Sequence, residues 1–315
     1  MHRHAPAFVV FIAACAAIVL PAAASAQGWP RTVTDDMGAS LALAKKPQKI
    51  VSVTLPTDEI LLALVQKSRI AAVTGFSEDA SVSNVASQVF DVPVKLPQLN
   101  VETIVSLKPD LVFVADWTEP ASVAQLRNAG LTVYLFKSPL TVREIEDRIS
   151  RIGTAVGEEE TAKRLVQWMD GRLAAVAKSL TALAPARQLT VMDYNTWGTS
   201  MGRGSSWDEI VRLAGLRNAV ADLKADQYGS VPVSKEKILL LDPDILMVPA
   251  WVYGDPAGSE TFYKSVLEDP ALRSLKAVKT GRVHRMAENV KTATSQYIVF
   301  AVEDLARYAY PDMFK

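Results

Sequence analysis

The chain has 315 residues, of which 49% are apolar, and its 34 basic and 34 acidic residues give a formal net charge of zero at pH 7. This balance argues against a nucleic-acid partner, because such binding depends on basic side chains that displace counterions from phosphates. Three histidines and one cysteine are too few for a site that binds a bare transition-metal ion, so we expect no metal ligands in the protein itself. The length favours two domains with well-packed cores.

Residues 1–26 have the pattern of a secretory signal peptide. Arg3 precedes an apolar stretch at 7–20, and an Ala-Ser-Ala cleavage site follows at 24–26. We therefore expect export to the periplasm. The alternative is lipoprotein cleavage at Cys15, which would leave the Ala-Ser-Ala site unused.

Short β-branched segments in the first half of the mature chain predict strands, separated by segments of helical or loop character. This alternation is typical of a mainly parallel α/β sheet. The predicted strands span 49–54, 69–74, 110–115 and 132–136. We assign residues 27–140 to an N-terminal α/β lobe.

A helical connector is predicted next, at residues 141–184. Thr141 and Glu144 form a capping box, and apolar residues then recur at helical spacing from Ile145 to Leu180, with a break expected near Gly153 to Gly157. Strand-like segments return at 188–193, 244–249 and 281–286. They predict a second α/β lobe over residues 185–315.

An internal repeat relates the two lobes, because residues 102–117 align with 236–251 at a constant offset. Each copy predicts a helix that stops at Pro-Asp, followed by a buried strand with a tryptophan after its end. A weaker similarity relates 57–61 to 207–211. Identical pairs include Glu102/Glu236, Pro109/Pro243, Asp110/Asp244 and Trp117/Trp251.

Aromatic residues are placed to line a cleft between the lobes. Ligands of open α/β sheets bind beyond the carboxyl ends of the strands, and two such ends facing each other would enclose a ligand. Trp117, Trp197, Trp251 and Tyr253 follow predicted strands, and Trp207 opens a helix. We predict that they contact the ligand by stacking.

The sequence predicts no enzyme and no cofactor. His284 is the one histidine of the mature chain, and neither a Gly-x-Ser-x-Gly elbow nor a Walker loop is present. The glycine-rich turn at 201–206 is weak evidence for phosphate binding. We expect a binding protein.

Three segments resemble the periplasmic binding proteins of ABC importers for iron complexes and cobalamin. They are Ile50-Val-Ser-Val-Thr-Leu-Pro-Thr-Asp-Glu-Ile-Leu-Leu-Ala-Leu64, Leu107-Lys-Pro-Asp-Leu-Val112 and Tyr310-Pro-Asp-Met-Phe314. The resemblance implies two Rossmann-like lobes joined by a long helix, little hinge motion, a monomer, and an ABC permease with its ATPase as partners.

The resemblance also suggests site residues. In that family a glutamate on each lobe docks onto arginines of the permease, and Glu102 and Glu236 stand at the matching positions. Thr54 and Thr57 lie in the first matching segment, so we add them to the ligand-binding candidates.

The ligand class stays open among several alternatives. The haem branch often has a tyrosine and the cobalamin branch a tryptophan at the place held here by Leu96, and Ser230 holds the equivalent place in the second lobe. We therefore expect a ferric siderophore or a similar iron complex, with cobalamin, haem, or a role as a periplasmic sensor or adaptor as alternatives. An anionic chelate would meet Arg203, Tyr194, Trp197 and Trp251 by charge and stacking.

Overall fold

The computed structural model describes residues 28–227 and 229–315, so the predicted signal peptide at 1–26 lies outside the described residues. Two α/β lobes with parallel central sheets are joined by a helical connector. The predicted fold class is confirmed. None of the helices within the described residues has the length and apolar character needed to cross a membrane.

The N-terminal lobe contains a five-stranded parallel sheet and a separate antiparallel pair. Its strands are β1 Arg31–Thr34, β2 Ser40–Leu43, β3 Ile50–Ser52, β4 Ile70–Thr74, β5 Val94–Leu96, β6 Leu111–Ala115 and β7 Val133–Phe136. Its helices are α1 Leu55–Leu64, α2 Val101–Leu107 and α3 Pro120–Asn128. The parallel sheet has the order β5-β4-β3-β6-β7, and β1 pairs with β2.

The connector consists of two packed helices, α4 Val142–Val156 and α5 Glu159–Ser179. Thr141 caps α4 by accepting a hydrogen bond from the N–H of Glu144 at 3.2 Å, and the Glu144 carboxylate accepts one from the N–H of Leu140 at 2.7 Å. Gly157 ends α4 with φ +72°, a conformation that glycine adopts at little cost. The break expected near Gly157 therefore separates two helices.

The C-terminal lobe repeats this plan with a four-stranded parallel sheet in the order β10-β8-β12-β13, and with β9 antiparallel to β11. Its strands are β8 Thr190–Asp193, β9 Thr199–Met201, β10 Arg217–Asn218, β11 Ser230–Pro232, β12 Ile245–Pro249 and β13 Val283–Met286. Its helices are α6 Ser206–Leu213, α7 Lys235–Leu241, α8 Gly258–Glu268, α9 Lys276–Lys279, α10 Glu288–Lys291 and α11 Ile298–Ala309.

The internal repeat is visible in the geometry of the turns that follow α2 and α7. Lys108 and Asp242 end these helices with φ of +49° and +39°. Asp110 then accepts a hydrogen bond from the N–H of Lys49 at 3.0 Å, and Asp244 accepts one from the N–H of Thr190 at 2.9 Å. Partial burial opposes ionisation of these two aspartates, but the hydrogen-bond donors outweigh it and lower the pKa of each. The Pro-Asp motif thus ties each helix–strand turn to the start of a neighbouring strand.

The largest apolar core is shared by both lobes and the connector. Ile149 of α4, Met169 of α5 and Val302 of α11 belong to one buried cluster that also includes Ile50 and Val191, from the central strands of the two sheets. Burial of apolar surface across the lobe boundary is the main force holding the lobes together. The arrangement brings the ends of the strands in the two lobes close to one another.

Candidate functional site

A cavity of about 450 Å³ lies beyond the carboxyl ends of β3, β4, β5 and β6, where the loop after β12 reaches over from the C-terminal lobe. The N-terminal lobe supplies most of the wall: Val53, Thr54, Leu55, Pro56, Thr74, Phe76, Val82, Leu96, Pro97, Gln98, Leu99 and Trp117. The C-terminal lobe supplies Trp251 and Tyr253. The structure thus brings together four of the predicted ligand-binding residues: Thr54, Trp117, Trp251 and Tyr253.

The first turn of α1 forms one wall of this cavity. Thr54 caps the helix by accepting a hydrogen bond from the N–H of Thr57 at 3.3 Å, and Pro56 lies in the first turn, where its missing N–H costs nothing. Asp58, in the same turn, accepts a hydrogen bond from the N–H of Thr74 at 3.0 Å. This contact holds the end of β4 against the helix. Burial raises the pKa of Asp58 well above its ordinary value.

Aromatic rings from both lobes meet at the cavity. The ring of Tyr253 lies 5.9 Å from that of Trp251 in its own lobe and 6.3 Å from that of Phe76 in the other lobe, measured between centroids. The side chains are not buried by the protein itself, since Phe76 is 44%, Trp117 65% and Tyr253 73% exposed. Exposed rings around a concavity are available for stacking on a ligand.

The wall of the cavity carries no charged side chain among the residues that the structure describes. Its polar side-chain groups are the hydroxyls of Thr54, Thr74 and Tyr253, the amide of Gln98, and the indole N–H groups of Trp117 and Trp251. Within residues 28–227 and 229–315, no three His, Cys, Asp or Glu side chains are grouped as a metal site would require. The surface therefore suits an apolar, uncharged ligand face that needs a few hydrogen bonds for orientation.

Two predicted ligand-binding residues are instead buried in the protein. Trp207 is 4% exposed and packs in the large core, and Thr57 is fully buried. The hydroxyl of Thr57 is bonded to the hydroxyls of Ser52 at 2.5 Å and Thr54 at 2.8 Å. Thr57 lies three residues after Thr54, the N-cap of α1, and Trp207 lies two residues after Ser205, the N-cap of α6. In the first turn of both helices these side chains face the protein interior. This corrects our expectation that they contact the ligand.

Three further candidates lie in the C-terminal lobe outside the cavity wall. Tyr194 packs its ring on Phe262 at 5.3 Å. Trp197 is 82% exposed on the turn between β8 and β9. Arg203 donates a hydrogen bond to Asp222 at 2.5 Å, so the expected cation is already paired on the surface.

One important wall residue, Phe76, was not predicted. It follows β4 by two residues, just as Trp117 follows β6 by two residues. The rule that identified Trp117 would therefore also have identified Phe76 if it had been applied to every strand. Leu96 was noted from the family resemblance, and it does line the cavity.

Glu102 and Glu236 lie in the first turns of α2 and α7, which are equivalent helices of the two lobes. Both side chains are exposed. The N-caps of the two helices are Asn100 and Ser234, which accept hydrogen bonds from the N–H groups three residues later. The structure thus presents the two glutamates in matching local settings.

A buried ion triad supports the loop that carries Trp251. The ammonium of Lys291 lies 3.0 Å from a carboxylate oxygen of Asp193 and 3.1 Å from one of Glu288, and the same Glu288 oxygen accepts a hydrogen bond from the N–H of Ala250 at 3.3 Å. Burial acts to lower the pKa of Lys291, but the two carboxylates outweigh it and raise the pKa. Burial raises the pKa of Glu288, because the single ammonium is shared between two carboxylates and does not offset the loss of solvent around Glu288.

Two facing α/β lobes with an aromatic cavity between their strand ends are the architecture of proteins that bind a ligand in a cleft. Residues 50–290 match a family described as "Periplasmic binding protein". The chain belongs to this family of substrate-binding proteins and is not an enzyme, as the sequence predicted.

Relatives and solved structures agree with this assignment. The chain is 28% identical to an uncharacterized ABC transporter substrate-binding lipoprotein, YvrC, of Bacillus subtilis, over 91% of this chain and 88% of that protein. It is 27% identical to a cobalamin-binding protein of Halobacterium salinarum, over 98% of this chain and 85% of that protein. The molybdate periplasmic binding protein MolA of Haemophilus influenzae has the same fold, with a TM-score of 0.74 at 18% identity, covering 90% of this chain and 92% of that chain.

Proposed function

We propose that this protein is exported to the periplasm, binds a metal complex of the cobalamin or iron-chelate class between its lobes, and delivers it to an ABC permease and its ATPase. The observation that carries this proposal is the cavity walled by Trp117 on one lobe and Trp251 on the other. A rigid complex with a flat organic face could stack on these indoles without forming a bond to the protein through its metal.

Within this class, cobalamin is our first candidate. An anionic chelate would lose hydration in the cavity and gain no cation from the described wall, since Arg203 is paired with Asp222 elsewhere. The similarity to a cobalamin-binding protein extends over almost the whole chain. A ferric siderophore is the second candidate, because the exposed hydroxyl of Tyr253 and the exposed amide of Gln98 could bond to oxygen atoms at the edge of such a chelate.

Calorimetric titration of the mature protein with cyanocobalamin, haemin, ferric citrate and a ferric tris-catecholate tests the ligand assignment. We expect cyanocobalamin to bind at least about 100-fold more tightly than ferric citrate, a difference of about 2.7 kcal/mol. If ferric citrate or the catecholate binds more tightly than cyanocobalamin, the proposed ligand becomes an anionic iron complex. Failure of all four to bind would contradict the proposed ligand class.

Docking onto the permease is proposed for Glu102 and Glu236, from their equivalent exposed positions and from the family resemblance. The double substitution Glu102→Ala, Glu236→Ala should leave ligand affinity unchanged and reduce uptake in cells at least about tenfold, since exposed charges at an interface guide and hold the partner. The control, Glu119→Ala with Glu268→Ala, removes two exposed acids from other surfaces of the same two lobes. Wild-type uptake by the docking variant would refute this role.

A further inference from the structure

Five side chains form a hydrogen-bonded cluster across the boundary between the lobes, which we call the lobe tie: Glu59 and Asn84 from the N-terminal lobe, and Asn289, Ser295 and Gln296 from the C-terminal lobe. The amide of Asn84 donates to the carbonyl of Asn289 at 2.5 Å, and the amide of Asn289 donates back to the side-chain oxygen of Asn84 at 3.1 Å. Ser295 donates to the carboxylate of Glu59, and Gln296 donates to the carbonyl of Glu59 at 2.9 Å.

Glu59 is at the centre of the lobe tie. Its carboxylate also accepts hydrogen bonds from the N–H of Asn84 at 2.9 Å and from the amide of Asn84 at 2.8 Å, and it is 2% exposed. A buried carboxylate is costly unless donors surround it. Because its donors come from both lobes, separating the lobes would leave the carboxylate short of partners. The lobe tie therefore opposes opening of the cleft.

The lobe tie lies next to both walls of the ligand cavity. On one side, Glu59 is one turn along α1 from Leu55 and Pro56, which line the cavity. On the other side, Asn289 follows Glu288, whose carboxylate holds the N–H of Ala250 immediately before Trp251. A short bonded path thus runs from the α1 wall through Glu59, the Asn84–Asn289 pair and Glu288 to the aromatic wall.

We propose that Glu59, Asn84 and Asn289 are positioning residues that fix the separation between the α1 wall and the Trp251 wall, so that the cavity accepts ligand faces of one thickness. They act on the ligand through the walls and do not touch it. The selection of ligands rests on the proposed function, whereas the fixed separation is a property of the empty protein and can be measured without any ligand.

The separation can be measured by electron–electron resonance between two spin labels. Cys15 is the one cysteine of the sequence and precedes the proposed mature start, so introduced cysteines are labelled selectively. Ser106→Cys and Leu240→Cys place labels at equivalent exposed positions of the two repeats. With Asn84→Ala in this background, we expect the ligand-free distance distribution to broaden or shift relative to the parent.

Asn218→Ala is the matched control. The Asn218 amide donates to the carbonyl of Met201 at 2.9 Å and to the carboxylate of Asp208 at 3.0 Å, so the same substitution removes contacts within one lobe only. Its label distances should equal those of the parent. Glu59→Gln keeps an acceptor oxygen for Asn84 and should also preserve the distances, whereas Glu59→Ala should change them. If Asn84→Ala does not fold, Asn289→Ala removes one bond of the pair and provides the same comparison.

Unchanged distances in folded Asn84→Ala, Asn289→Ala and Glu59→Ala would overturn the proposal, as would equal changes in the Asn218→Ala control. Titration with cyanocobalamin and haemin then tests selection, and we expect Asn84→Ala to reduce the affinity ratio between the two probes at least threefold, with Asn218→Ala unchanged. Equal ratios despite altered distances would overturn selection by thickness. If the wild type binds neither probe, cobalamin and haem are excluded as ligands, while the distance result still decides the role of the lobe tie.

Discussion

Replacing Lys291 by methionine is expected to lower the free energy of unfolding by about 3 to 5 kcal/mol, because removal of one member of a buried ion cluster leaves its partners uncompensated. Lys291 is 9% exposed, and its ammonium lies between the carboxylates of Asp193 and Glu288. Methionine has a similar length and fills the space, so the decrease in stability mainly reflects removal of the positive charge. Urea denaturation of wild type and variant at pH 7 gives the difference.

The same variant should show a characteristic dependence on pH. Without Lys291, burial raises the pKa of Glu288 further above its value in the unfolded chain. A carboxyl group whose pKa is higher in the native state than in the unfolded state stabilises the native state below the unfolded pKa. This stabilisation is lost as pH rises through the native pKa. The deficit relative to wild type should therefore shrink as pH falls toward about 4.3, the ordinary glutamate value.

Lys276→Met is a matched control, because Lys276 also lies between two carboxylates, those of Asp242 and Asp244, at 3.8 Å from each. Its side chain is 59% exposed, so solvent screens these pairs and we expect a loss of about 0 to 1 kcal/mol. Equal losses for the two lysine variants would contradict the argument that burial makes the Lys291 triad important.

The elements that the sequence predicted correctly are those with a strong local pattern. Every strand inferred from a β-branched segment is present, because such segments fill the buried sheets. Six strands within the described residues were missed, and two of them, β1 and β2, have four residues each and pair as a hairpin close in sequence. The other four carry a weaker pattern, since β10 has two residues and β5, β9 and β11 have three each. Their formation depends on partners distant in the chain, so local pattern cannot reveal them.

The internal repeat pointed to the wall of the cavity, and ligand contact at that wall stays a prediction. Trp117 and Trp251 follow equivalent strands, and both line the cavity. Trp207 was wrongly assigned to the cleft. The spacing of Trp207, Ile210 and Val211 is that of residues on one buried face of a helix, and it could have indicated the correct position. The lobe tie could not have been predicted, since Glu59 and Ser295 are 236 residues apart and no local pattern brings them together.

Substitution of Trp117 or Trp251 by alanine is expected to reduce affinity for the bound complex about tenfold or more. Stacking on an indole contributes about 0.5 to 1.5 kcal/mol beyond the burial of apolar area, and about 1.4 kcal/mol is a factor of ten in affinity. Stability should change little for Trp117→Ala, because that side chain is 65% exposed and leaves no internal cavity when removed. Calorimetry with cyanocobalamin, or with the complex that binds in its place, gives the affinity.

Alanine substitutions of two other tryptophans distinguish a loss of ligand contact from a loss of protein stability. Trp207 is 4% exposed, so Trp207→Ala should lower the free energy of unfolding by about 3 to 5 kcal/mol, while the folded fraction keeps its affinity. Trp197 is 82% exposed and outside the cavity wall, so Trp197→Ala should change neither quantity. A large loss of stability with unchanged affinity in Trp117→Ala would mean that this indole packs within its lobe. Weakened binding in Trp197→Ala would indicate that the ligand lies against the turn between β8 and β9.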